Sequence, residues 1–310
     1  MRVQLLRYSL LTLFTFLILS GNLAAQLDFS LLSSIESPIY LNAARAGETG
    51  TLRLNFNRIN QYLNLGNSPE RALLTADWNF KDSKYSMAIT GSIDLLSDID
   101  RYNLGLHLIR RQRLFDQIDL SLSIGFDQTY QRLDFWYFYR YDPYQPIPAI
   151  IEEETLNSYG LTPNASFNIK YKSFSTGLMY NGGPSFLTSN LGYKLSPRYW
   201  LPSHLLTAFA EYTILASEEL EIHPQLYLRH RTFTSTVLSL QLRARYKWAV
   251  VRLGYRPRGD GSGDGSGMAG AGVHFRKNDF LLMLHQSINR ARVFGPTFEI
   301  SYVRNLKAVN

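Results

Sequence analysis

From residue 51 onward, apolar and polar residues alternate in runs of eight to twelve, each closed by a turn. Ile118, Leu120, Leu122, Ile124 and Phe126 share one face, and Asp119, Ser121, Ser123, Gly125 and Asp127 the other. Leu238, Leu240, Leu242, Ala244 and Tyr246 stand opposite Ser239, Gln241, Arg243, Arg245 and Lys247 in the same way. A period of two sends successive side chains to opposite faces of a strand. No helical period competes over comparable lengths. The pattern predicts fourteen strands, near 51–59, 70–80, 84–94, 101–110, 117–130, 163–171, 173–182, 203–214, 219–230, 236–247, 248–257, 267–277, 279–288 and 296–305.

The connections sort by length. If the first strand runs outward from the periplasm, the inward turns are 81–84, 111–116, 171–172, 215–218, the Lys247/Trp248 junction and 277–278, all short. The outward connections are 60–69, 95–100, 131–162, 183–202, 231–235, 258–267 and 289–295, and they include every long one. Short periplasmic turns with longer outer loops, an even strand count and strands of ~10 residues are the marks of a bacterial outer-membrane barrel. Aromatics gather at segment ends (Tyr85, Tyr102, Tyr130, Tyr246, Trp248, Tyr302), as they do where an apolar wall meets lipid headgroups. A soluble β-sandwich also alternates, but it predicts neither the loop parity nor the girdles. The expected fold is therefore all-β, a transmembrane antiparallel outer-membrane β-barrel of about fourteen strands.

The first residues differ from the rest. Arg2 and Arg7 precede an apolar run, Leu10–Leu19, and small residues lead to Ala24-Ala25. This predicts a signal peptide over 1–25, cleaved before Gln26, then an N-terminal periplasmic or plug segment over 26–50 and the barrel over 51–310. Hydrophobic residues make up 45% of the chain and charged residues 18%, below the ~25% usual for soluble domains, which argues against disorder. The absence of Cys rules out disulfides, thiolate metal sites, a Cys nucleophile and a Cys-borne lipid anchor. A net charge of +7 is too modest to suggest a nucleic-acid partner.

After the leader the chain reads Ser37-Pro38-Ile39-Tyr40-Leu41-Asn42-Ala43-Ala44-Arg45-Ala46-Gly47, and a strand follows with Asn57-Arg58-Ile59-Asn60-Gln61-Tyr62. These segments resemble the start of the PorP/SprF family of type IX secretion system outer-membrane proteins. That start carries a "Pro, aromatic, Leu-Asn-Pro-Ala, Ala-Gly" element and then "Arg-Asn-Gln-aromatic". Pro197-Arg198-Tyr199-Trp200, His223-Pro224, Leu253-Gly254-Tyr255-Arg256 and Gly295-Pro296-Thr297-Phe298-Glu299-Ile300-Ser301 extend the resemblance to the end of the chain. Ala43 stands in place of the family's Pro, and Ile59 offsets Asn60-Gln61. His285-Gln286-Ser287-Ile288 replaces a Tyr-Ser-Tyr-Asp in the penultimate strand. The resemblance implies an outer-membrane location and a non-enzymatic part in protein secretion or gliding motility. The partners it implies are periplasmic ring and lipoprotein subunits, a peptidoglycan-binding lipoprotein, and secreted cargo such as adhesins, with outer-membrane lipids around the barrel. The alternative on the same fold is a pore or solute transporter.

Two segments are candidates for partner contact. The small residues of 38–50 would let it pack closely against a wall, either plugging the barrel, docking a partner at the periplasmic mouth or simply capping the end. Pro38, Tyr40, Asn42 and Gly47 carry this candidacy. The connection 131–162 holds Phe135, Trp136, Tyr137 and Tyr139 ahead of Glu152-Glu153-Glu154. Such an aromatic surface suits a contact core, although a self-packed loop or a strand extending above the membrane would use it too. The Gly-Asp run at 259–267 has too few carboxylates for calcium and reads as a loop. His285 and Glu299, with Ser287 and Ser301 nearby, and the inward charges Arg243, Arg245, Glu219, Glu221, Asp119 and Asp127 read as a hydrogen-bonded polar lumen. No dinucleotide, P-loop or metal-ligand spacing occurs. No catalytic residue, cofactor or metal is expected.

Overall fold

The structure is a computed structural model and describes residues 37–49, 52–61, 69–80, 84–96, 99–115, 117–134, 155–182, 186–189, 204–231, 236–257, 265–275, 278–287 and 296–306. Its strands are β1 (Leu52–Asn60), β2 (Glu70–Asn79), β3 (Tyr85–Leu96), β4 (Ile99–Leu114), β5 (Ile118–Asp134), β6 (Thr155–Tyr171), β7 (Phe174–Asn181) and β8 (Phe186–Ser189). They continue with β9 (Leu205–Tyr212), β10 (Ile214–Leu215), β11 (Leu220–Arg231), β12 (Val237–Tyr246), β13 (Ala249–Pro257), β14 (Gly265–Phe275), β15 (Asn278–Ser287) and β16 (Thr297–Leu306).

Apart from the short β8 and β10, neighbours along the chain pair antiparallel (β7 with β9, β9 with β11), and β16 returns to β1 in continuous register from Leu52↔Leu306 to Asn60↔Phe298. The sheet thus closes on itself as a fourteen-strand barrel. Closure satisfies the backbone inside hydrocarbon, where water cannot. β8 is a short addition to β6 above the end of β7. β10 keeps the register of β9 on β11, with Ile214↔Ile222 following Glu211↔Gln225. The ladder breaks between them where Tyr212 faces Pro224, which has no N–H to give.

All fourteen predicted strands are present, but three are longer than the pattern suggested. β4 begins at Ile99, leaving only residues 97–98 between it and β3. β5 runs to Asp134 and β6 starts at Thr155, so much of the supposed outer connection is a paired extension from Tyr130↔Tyr159 to Asp134↔Thr155. Pro163 interrupts the pattern without interrupting the strand. It lies just beyond the end of β7, and its carbonyl accepts from Gly182 N at 3.1 Å. Likewise β14 absorbs Gly265–Gly267 of the Gly-Asp run.

Side chains are distributed inside out relative to a soluble protein. Ile124 is 68% exposed, and Leu74 and Leu104 are 56% exposed, whereas Asn57, Asp77, Asp94 and Glu299 are fully buried. This inversion fits a lipid-facing wall around a polar lumen and does not fit a sandwich with an apolar core. Tyr102, Tyr130 and Tyr159 stand in register on adjacent strands, with ring centroids 5.9 and 5.0 Å apart. They form one arc of a girdle on the long-loop side. At the other end Phe115, Lys172 and Lys247 adopt left-handed φ values of 52°, 52° and 51° in the short turns.

Candidate functional site: the segment inside the lumen

Residues 37–49 do not lie outside the barrel mouth. Pro38–Leu41 forms one helical turn and Ala43–Arg45 a 3-10 turn, both inside the cylinder. Pro at the start of the turn supplies a preset φ and lacks an N–H that would have had no partner. Ser37, Ile39, Leu41, Asn42, Ala43, Ala44 and Ala46 are buried almost completely. The small side chains matter because the segment must pass within hydrogen-bonding reach of several strands.

Each polar residue of the segment finds the wall. Ser37 Oγ donates to Asn57 Oδ1 at 2.6 Å and accepts from Asn55 Nδ2 at 2.5 Å, both on β1. Asn42 caps the 3-10 turn by accepting from Ala44 N at 2.9 Å. Its amide nitrogen donates to the Phe167 carbonyl of β6 at 2.7 Å. Ala44 N also donates to Ser166 Oγ at 2.9 Å. A side chain on Gly177 would meet Asn42 Nδ2 at 2.4 Å, so this glycine makes the room that Asn42 occupies.

One ionic clasp and one set of charge-assisted hydrogen bonds complete the fit. Arg45 donates to both oxygens of Glu211 on β9, at 3.0 and 2.6 Å, and its guanidinium stacks 4.9 Å from the Phe209 ring. Glu48 adds to the clasp, 3.4 Å from Arg45 Nη2 and accepting from Asn168 Nδ2 at 3.0 Å. Near the short-turn end, Gly47 N donates to Asp77 Oδ2 at 2.5 Å, and Arg111 of β4 donates to the carbonyls of Ala46 and Gly47. Gly47 has φ +72°, and a Cβ there would lie 2.6 Å from Ser86 Oγ. Glycine is thus required twice over.

Tyr40 marks the other end of the segment. Its hydroxyl accepts from Arg71 Nη1 at 2.7 Å and Arg229 Nη1 at 3.1 Å, and both guanidiniums stand 5.6 Å from its ring. Arg71 belongs to β2 and Arg229 to β11, seven strands apart whichever way one counts round the barrel. One phenol therefore bridges opposite walls. Arg71 is itself held bidentate by Asp94 of β3 at 2.5 and 2.8 Å, and Arg53 by Asp77 at 2.8 and 3.2 Å.

The four N-terminal candidates, Pro38, Tyr40, Asn42 and Gly47, thus come together inside the lumen, turned toward its wall. Phe135, Trp136, Tyr137 and Tyr139 lie outside the described residues. Sequence reasoning missed Arg45, Glu211, Asp77, Arg111, Arg71 and Arg229. One signal was available: Glu211 is the sole charge in β9 and Arg45 the sole charge between Ser37 and Gly47. The inward charges do pair: Arg245 with Glu221, Arg243 with Asp279 at 3.7 Å, Lys247 with Glu219 at 3.2 Å, Arg113 with Asp119 at 3.1 Å. His107 lies 3.9 Å from Asp127. Glu299, buried, accepts from Asn57 Nδ2 at 3.3 Å across the barrel seam. Among the described residues no cluster of three or more His, Asp or Glu could hold a metal.

Comparison with solved structures returns outer-membrane barrels. The Ralstonia pickettii toluene transporter TbuX is 10% identical, with 87% of this chain and 94% of that chain covered and a TM-score of 0.50. The Pseudomonas putida toluene transporter TodX is 8% identical over 90% and 95%, with a TM-score of 0.46. The Acinetobacter baumannii outer membrane protein Omp33 is 6% identical over 83% and 99%, with a TM-score of 0.45. At such identities the likeness speaks for fold alone. No curated protein matches the chain. The model of the type IX secretion system membrane protein family PorP/SprF matches residues 26–304, so the barrel is an outer-membrane component of type IX secretion and the chain belongs to the PorP/SprF family.

Proposed function

We propose that the protein is a plugged, non-catalytic anchor of the type IX apparatus. Residues 1–25 direct export and are removed. The short-turn end faces the periplasm and holds the ring and lipoprotein subunits, including one that binds peptidoglycan. The long-loop end, with Phe135, Trp136, Tyr137 and Tyr139, receives exported cargo such as adhesins. Pro38, Tyr40, Asn42 and Gly47 serve partner binding indirectly, by fixing the segment whose lower end, Glu48–Thr49, reaches the periplasmic mouth.

The observation that supports this reading is the segment 37–49 bound inside the lumen. The segment 37–49 is fastened to β1, β2, β4, β6, β9 and β11, which stands in the way of a steady transport pathway through the bore. A rigid, stoppered cylinder suits a part whose task is to stay in place and present its two rims.

Two measurements test it together. The purified barrel in planar bilayers should pass no steady current, and affinity purification from detergent should recover type IX ring subunits. A steady conductance without ring subunits would overturn the anchor and establish a solute pore.

A further inference from the structure

We propose that the outer wall between β7 and β13 binds one phospholipid, with its phosphate at Lys172 and an acyl chain in a groove that climbs from there into the bilayer. Lys172 lies in the turn joining β6 and β7, exposed and 5.3 Å above the ring of Tyr171. It makes no ion pair among the described residues. Lys247 occupies the equivalent turn between β12 and β13 and sits just as close to Tyr246, 5.4 Å, but is neutralised by Glu219 at 3.2 Å. Of these two Tyr-Lys turns, only that of Lys172 offers an uncommitted cation at the headgroup level.

Phe174, the first residue after the Lys172 turn, is the foot of a groove of about 630 Å³ that crosses β9, β11, β12 and β13. The groove exists because Ala210 and Pro224 are short in rows where Leu240, Leu242 and Tyr255 stand tall. Pro224 faces Leu242, and Leu240 faces Tyr255, so these side chains line two parallel banks on the lipid-facing side. The groove rises as it crosses. Phe174 begins β7, Leu242 lies four residues above the lower end of β12, and Tyr255 six above that of β13. Its foot is therefore at the headgroups and its upper end in hydrocarbon. The volume falls within the ~300–1,000 Å³ of small-ligand sites. In this setting the solvent that fills an apolar groove is acyl chain, and the cation at the foot selects the phosphate.

Native mass spectrometry of the full-length barrel, with phosphatidylglycerol or a diacylglycerol of the same chains added in detergent, decides the matter. One phosphatidylglycerol should be retained per barrel and the diacylglycerol lost. K172Q should weaken retention about fivefold, the effect of one basic residue at a membrane surface, and K247Q should not. Ala210→Phe, which fills the groove, should remove the lipid while Lys172 remains. Equal retention of diacylglycerol, equal loss in K172Q and K247Q, or unchanged retention in K172Q would overturn the assignment.

Discussion

Arg45 and Glu211 form a two-pronged clasp between the luminal segment and β9, each terminal guanidinium nitrogen meeting one carboxylate oxygen, at 3.0 and 2.6 Å. Both side chains are largely sheltered, and Glu211 is further tied to Gln225 Nε2 at 3.3 Å. Leaving one member of such a pair without its partner costs about 3–5 kcal/mol. Glu211→Gln keeps the shape and removes the charge, leaving Arg45 with Glu48 alone. The variant should show brief current bursts in planar bilayers where the parent is silent, and the exchange R45E/E211R should restore silence. If E211Q stays as quiet as the parent, the remaining contacts hold the segment unaided.

Gly47 should tolerate no side chain. Its left-handed φ costs a β-carbon about 1 kcal/mol or more, and Ser86 already occupies the space. G47A should lower the midpoint of thermal unfolding. S86G in the same chain should recover the steric part of that loss but not the conformational part, so rescue should be incomplete. Complete rescue would show that space alone matters at this turn.

The Tyr40 hydroxyl separates two arginines on opposite walls. Tyr40→Phe preserves the ring and both cation–π contacts but removes the shared acceptor. Hydrogen bonds to charged groups contribute about 1.5–3 kcal/mol, and Arg71 keeps its two-pronged pair with Asp94 when the phenol is gone. Amide exchange should quicken on β2 around Arg71 and on β11 around Arg229, the two strands whose arginines share the hydroxyl. Equal protection in Y40F and the parent would mean that the bridge does not tie the two walls together.

What was legible in the sequence follows from range. The alternation of Ile118–Phe126 is local, so the β4–β5 hairpin could be read directly. The lower half of β6 was equally plain, but its upper half was not. Asn157, Tyr159 and Gly160 do not alternate in polarity, and they become a strand because β5 offers them a partner edge. The segment 37–49 stands out in the sequence by its small residues and its family-like motif. Its contacts were hidden because they depend on closure: Tyr40 meets Arg229 across 189 positions and Arg45 meets Glu211 across 166. A lone charge in an otherwise uncharged strand was the available sign, as Glu211 is in β9 and Asp94 in β3.

The membrane itself can be tested at one side chain. Ile124 lies in the middle of β5, is 68% exposed, and is flanked on its face by Leu122 and Phe126, which are 50% and 45% exposed. On a soluble protein, replacing such a residue by arginine would be harmless, because the new charge would meet water. Facing the bilayer centre it should cost about 2–4 kcal/mol, falling toward zero near the interfaces. Ile124→Arg should therefore lower the yield of folded barrel in vesicles. Arginine in place of Ile118, at the short-turn end of the same strand face, should not. The depth dependence is the decisive feature, since a general packing defect would penalise both positions alike, and only a slab of hydrocarbon distinguishes them.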